Sequence, residues 1–497
     1  MWGQPFTPAA RLKPAARHRP GAALTAMSIN AGQKPGGSLE RLTLLAIVFS
    51  ASLIPAPVID AARSGDNAAL RALIQKKADV NATDPDGSTA LLWASYRDNL
   101  EAADLLIRAG AKVNSANDLG VAALWPASEN GSLSMVKKLL DAGANPNLAL
   151  LAGETPVMVA ARSGHPEVVE ALLAKGANPD AHGARGQTAL MWAVAQRHPQ
   201  VVKVLIAHHA DLNLHSDVWS EVMAVPPHGY LPYNKAIPHG GETAFMFAAR
   251  VGDLESAKLL VAAGANVNDA DAWGVTATTL AAHSGFTDFV EFLLAKGADP
   301  NAAPNGFTAL HEAIMRRDER LVTALLDHGA DPNSPVQTWT PTRRTSEDFH
   351  FEPALVGATP YWLAARFTEP NVMRLLVKHG ADPKFVHHAD YVAERGFGGV
   401  SQKEAATALM AAVGIIRVKP WVELERGEGE ALTLETVKLA VDLGADLNVA
   451  NTDGRTALDA ARALRYNSVV NYLVEKGAKA GTGGNTPGRG GRGGAAR

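Results

Sequence analysis

Apolar residues recur along most of the chain in two alternating helical blocks. In Thr188-Ala-Leu-Met-Trp-Ala193 they lie at helical neighbours, and a second stretch, 255–262, supplies Ala257, Leu259, Leu260 and Val261. Together the blocks predict two short helices. The first opens at Thr, whose hydroxyl can accept from the orphan N–H groups of the first turn. The second ends at a glycine such as Gly264, where a left-handed backbone residue caps the last carbonyls. Neither helix is long enough to stand alone, so stability must come from stacking one pair on the next.

The spacing of the opening Thr sets the architecture. Thr89, its equivalent Ala122, Thr155 and Thr188 stand 33 residues apart. Thr243 then follows after 55, Thr276 after 33, Thr308 after 32, Thr359 after 51, Thr407 after 48 and Thr456 after 49. A period of 33 interrupted by added material describes a repeat array. Four insertions break the rhythm. Three follow a second helix, at about 214–239, 334–356 and 384–405, and the fourth, about 414–432, separates the two helices of one unit.

Gly306-Phe-Thr-Ala-Leu-His311-Glu-Ala313 resembles the G-x-T-P-L-H-x-A motif of the ankyrin repeat, and Gly153-Glu-Thr-Pro-Val and Gly357-Ala-Thr-Pro-Tyr keep its proline. Most units close on an ankyrin-like L-L-x-x-G-A-x-x-N, as in 139–147, 293–301 and 325–333. The resemblance covers residues 57–479, about eleven units, of which the first reads as truncated and the ninth and tenth as distorted. It implies an all-α ankyrin-repeat α-solenoid with hairpin-like fingers, here enlarged by the insertions. It also implies a protein partner docking on the fingers and inner helices. His311 falls on the family's structural histidine.

The closing glycine is Gly110, Gly143, Gly176, Gly264, Gly297, Gly329, Gly380, Gly444 or Gly477, but the first and fifth units carry Lys77 and His209 instead. A side chain in that conformation should cost about 1 kcal/mol. Residues 58–65 lack the Thr motif and read as an amino-terminal cap. From residue 480 to 497 the chain becomes Gly/Arg-rich, a composition that buries no core and reads as a flexible tail rather than an RNA-binding segment.

Composition adds three constraints. Apolar residues at 47% and charged residues at 20% describe a chain able to bury a large core. Cysteine is absent, which removes disulfides, thiolate metal sites and cysteine nucleophiles. Residues 1–39 hold five basic residues and no acid and precede the apolar run 42–54, so residues 1–56 read as a basic leader with a secretory signal or uncleaved anchor. Met27 as the start, a transit peptide and a buried first helix are the competing readings of that segment. Export to the periplasm or beyond is the expectation. Without the five basic charges of the leader the net charge of −3 becomes −8, a poor match for phosphate backbones. Nucleic acid is therefore not an expected partner, a membrane is one only through the anchor, and a monomer is expected.

Candidate chemistry concentrates in the insertions. Trp219, Tyr230, Tyr233, Trp339, Arg343, Arg344 and Phe349 are the candidate partner-binding residues, because aromatics and arginine dominate interface hot spots. The competing reading is that these loops fold back on their own repeats. His208-His209, His387-His388, His228 and His239 raise a metal site, but adjacent histidines share no helix face. Asp84-Pro-Asp-Gly87 and Asn451-Thr-Asp-Gly454 lack the remaining ligands of a calcium loop and read as turns. Trp93, Trp125, Trp192 and Trp362 occupy one repeat position, which favours packing over a sugar platform. Gly396-Phe-Gly-Gly399 lacks a nucleotide site's context, and no catalytic motif is present. The sequence thus predicts an exported, non-enzymatic, protein-binding scaffold without cofactor or metal. The alternatives are a small-ligand or metal receptor or enzyme with a pocket built by the insertions, and a secreted effector acting on host-cell proteins.

Overall fold

A computed structural model describes residues 57–223, 235–340, 351–395, 398–416, 418, 422 and 424–482. The leader and the tail from residue 483 lie outside the described residues. Within them the chain forms eleven consecutive helix pairs. The first five are Pro57–Ser64 with Asn67–Gln75, Ala90–Tyr96 with Leu100–Arg108, Leu124–Glu129 with Leu133–Asp141, Pro156–Ser163 with Pro166–Ala174, and Ala189–Ala195 with Pro199–Ala207. The sixth to eighth are Ala244–Val251 with Leu254–Ala262, Ala277–Ser284 with Thr287–Ala295, and Ala309–Met315 with Glu319–Asp327. Pro360–Arg366 with Pro370–Lys378, Ala408–Ala412 with Arg426–Asp442, and Ala457–Leu464 with Asn467–Glu475 complete the series. The first pair, expected to be truncated, has both helices. The ninth, expected to be distorted, is regular, because its insertions lie wholly in the connections that flank it. The tenth is distorted as expected.

The local signals act as their chemistry requires. The hydroxyls of Thr89, Thr188, Thr276, Thr359 and Thr407 each accept the N–H three residues on, at 3.2–3.4 Å. Pro156 and Pro360 begin their helices, where the missing N–H costs nothing. The nine closing glycines adopt φ of 85–101°, and Lys77 and His209 are forced into the same region at 56° and 60°. First helices are buried almost all round. Second helices bury a stripe, such as Val201, Val202 and Leu205, each contributing about 1.5–3 kcal/mol.

The chain divides into two compact units: one up to Ala127 with Lys138–Ala144, the other Ser128–Lys137 with the chain from Asn145. The third pair contributes to both. In each unit the closing Asn ties its repeat to the next. Asn81 donates to the Gly110 carbonyl at 3.1 Å and accepts from the Lys112 N–H at 2.8 Å. Asn147, Asn268 and Asn301 repeat this bond pair on Gly176, Gly297 and Gly329 in the second unit. Asn333 makes it across an insertion, to the Gly380 carbonyl and the Asp382 N–H, both at 2.9 Å. Ion pairs such as Lys138–Asp104 and Arg374–Glu435 join second helices of neighbouring pairs at the surface, where they contribute little.

A second row of left-handed residues lies where each first helix turns into its second. Glycine fills it in several pairs, and at Gly131 an added Cβ would come within 2.5 Å of the His165 ring of the next pair. Arg197 and Arg317 occupy the same row with φ near 60°. Arg197 donates to the Val251 carbonyl, and Arg317 to the Phe367 and Thr368 carbonyls. Each thus reaches the end of the next first helix across a junction that carries an insertion, and a cation there is favoured by the helix dipole.

Two insertions add the only strands among the described residues. β1 (Trp219–Met223) pairs antiparallel with β2 (Lys235–His239), and β3 (Val386–Arg395) with β4 (Gly398–Thr407).

Candidate functional site

The first enlarged finger is fixed at its base by backbone rungs to both neighbours. Asp217 N–H donates to the Arg185 carbonyl at 2.8 Å, and Ala272 N–H to the Gly240 carbonyl at 3.0 Å. Gly240 has φ of 80°, and a Cβ there would strike the Asp217 carbonyl oxygen and the Trp219 ring, so only glycine allows the chain to re-enter the array so tightly. Trp219 stacks on His239 with ring centroids 5.7 Å apart, and the Arg185 guanidinium lies 4.8 Å from its ring. Those contacts hold the indole in place while leaving it 37% exposed; Val222, on the opposite face of β1, is 70% exposed and Val218 59%. Tyr230 and Tyr233 lie outside the described residues.

In the second finger the described residues at its base pack on the array. Phe351 is fully buried, 4.9 Å from the Phe307 ring and 6.2 Å from His311. Thr340 N–H donates to the Phe351 carbonyl at 3.0 Å, and the Thr340 hydroxyl accepts from the Phe351 N–H at 2.8 Å. Trp339 is half-buried. Arg343, Arg344 and Phe349 lie outside the described residues. His311 accepts the Thr308 N–H on Nδ1 at 3.0 Å, which assigns the proton to Nε2 and its donation to the Ser334 carbonyl at 2.9 Å. Burial pushes its pKa down to about 4, so it is neutral and structural.

In the third finger His387 is buried against the Trp362 ring at 4.5 Å and bonds the Ala354 carbonyl at 2.8 Å, while His388 is exposed. Trp362 Nε1 donates to the Ala406 carbonyl at 3.0 Å, tying the hairpin to the ninth pair. His208 pairs with Glu170 at 2.9 Å and His209 is the left-handed cap. Among the described residues no group of three or more His, Asp or Glu converges as metal ligands. Gly398 and Gly399 open β4, and the Asp84 and Asn451 loops are turns closed by bonds to their own backbone.

The tryptophans correct one expectation. They occupy two adjacent helix positions rather than one. Trp93 and Trp192 lie four residues after the repeat's Thr and carry Arg63 and Arg162 on their faces, whereas Trp125 and Trp362 lie three after and pack into the core. The turn-row arginines were missed altogether; the available signal was an arginine where other units carry glycine.

The family model for ankyrin repeats matches residues 58–150, 124–216 and 239–336, together just over half of the chain. The chain belongs to the ankyrin-repeat family. The matches skip most of the first enlarged finger and stop where the second begins, although three further ankyrin helix pairs follow. The protein is 40% identical over 94 residues to an ankyrin repeat-containing protein of Treponema pallidum, covering 18% of this chain and 32% of that one. It is 30% identical over 152 residues to a mitochondrial disaggregase of Bos taurus, 23% of this chain and 22% of that one. An ankyrin repeat and KH domain-containing protein of Caenorhabditis briggsae matches at 29% over 245 residues, 47% of this chain and 8% of that one. The chain thus matches less than a third of the length of each of these relatives. Among its described residues no helix is long and apolar enough to cross a membrane.

Proposed function

We propose that this ankyrin-repeat chain is a non-enzymatic scaffold that holds a protein partner on its first enlarged finger. The observation that carries the reading is Trp219, 37% exposed and held by Arg185 and His239 on a hairpin whose base is locked to both neighbours. A held indole loses little freedom on binding, and its burial supplies the anchor of an interface. Phe351 of the second finger and His387 of the third are instead buried against their own repeats. The basic leader and apolar run at residues 1–56 support export of this scaffold, and cell fractionation with and without those residues decides that part.

The test is co-purification of a stoichiometric partner with the full chain and with a Trp219→Ala, Val222→Asp variant. Loss of the partner at an unchanged melting temperature is the expected result. A partner retained by that variant and lost on trimming residues 336–356 would move the site to the second finger.

A further inference from the structure

The fourth insertion falls where a first helix, Ala408–Ala412, turns into its second. The helix that follows, Arg426–Asp442, has 17 residues where its neighbour Pro370–Lys378 has nine. A cleft of about 350 Å³ opens beneath it. Met315, Phe367, Leu424 and Leu464 form its apolar walls, and Val422 and Leu464 stand at the rim, 42% and 40% exposed.

Two arginines line the cleft. Arg366 Nε and Nη2 donate to the Ile416 and Val418 carbonyls, both at 2.8 Å, and among the described residues Nη1 has no hydrogen-bond partner. No carboxylate among the described residues lies within ion-pair distance of it, and the only one whose field it feels is Glu352. Burial without a close counter-charge holds its pKa down to about 10. Arg317 is fixed by the Phe367 and Thr368 carbonyls. Its neighbour Glu369 is buried with Oε1 unbonded, and burial pushes that carboxyl up to about 8, so at neutral pH it compensates Arg317 only weakly. Two guanidinium groups held by main-chain oxygens therefore share one apolar cleft with little negative charge against them.

We propose that this cleft binds a small amphipathic monocarboxylate, with its head group on Arg366 and Arg317 and its chain along Phe367, Leu424 and Leu464. A planar carboxylate matches a fixed guanidinium and supplies the missing anion. An alkyl chain covers apolar wall that inorganic phosphate would leave wet, and an amine would set a cation against two others. The site is independent of the finger reading, being built by other residues.

Calorimetric titration of the full chain with octanoate tests it, with octanol, octylamine and inorganic phosphate as comparators. One octanoate per chain is expected, with octanol at least about tenfold weaker and no heat from octylamine or phosphate. Leu464→Glu, at the exposed rim, should abolish octanoate binding at an unchanged circular dichroism spectrum, whereas Leu464→Phe and Trp219→Ala should keep it. Absence of octanoate binding, equal affinity for octanol, or binding that survives Leu464→Glu overturns the assignment. A leucyl-leucine dipeptide that bound more tightly than octanoate would also overturn it, by placing a chain terminus there instead.

Discussion

Lys77 and His209 occupy a backbone region that nine equivalent residues meet with glycine, and around Gly110 an added Cβ finds no atom within 4 Å. The strain at Lys77 and His209 is thus intrinsic to the left-handed backbone rather than a product of crowding. Lys77→Gly and His209→Gly should each raise the melting temperature, by the equivalent of about 1 kcal/mol at most, since glycine also gains freedom in the unfolded chain. A drop in either variant would refute the cap assignment. Glu369 is the other residue whose setting is costly. A carboxyl whose pKa rises on folding keeps its proton in the native chain after the unfolded chain has released it. Its stabilising contribution is complete below the ordinary glutamate range and is lost as pH rises toward about 8. Glu369→Gln should therefore match the wild type in urea unfolding near pH 4.5 and exceed it by about 1–3 kcal/mol at pH 8.5. Parallel stabilities at both pH values would show that Glu369 is not held neutral.

The helix pairs were legible because each is specified within itself. Thr at the start, glycine at the end and the apolar stripe between them are properties of a few neighbouring residues, so the reading survived insertions that broke the period. The fingers were legible only in position. Whether an aromatic turns outward or inward depends on what the adjacent pair offers: Phe351 finds Phe307 and His311, while Trp219 finds Arg185 and His239 and stays half in solvent. The two should behave differently on truncation. Phe351→Ala should cost about 3–5 kcal/mol in chemical denaturation, and Trp219→Ala much less. Equal losses would mean that the first finger is a packing element as well. Arg317 and the cleft were illegible for the same reason, since the carbonyls that Arg317 meets lie 50 and 51 residues away.

At the scale of the molecule, each repeat touches only its neighbours, so stability within a unit is close to a sum over pairs and junctions. Added chain at one junction leaves the others unchanged, which is why helix pairs nine to eleven continue the array beyond the last match to the family model. The bond from Asn333 to the Gly380 carbonyl spans 47 residues of sequence and 2.9 Å of space. The covalent path between the eighth and ninth pairs is a detour, and the hydrogen-bonded path is the direct one. The junction between the eighth and ninth pairs should therefore accept added or cut chain, because that asparagine sets the register of the two pairs without it.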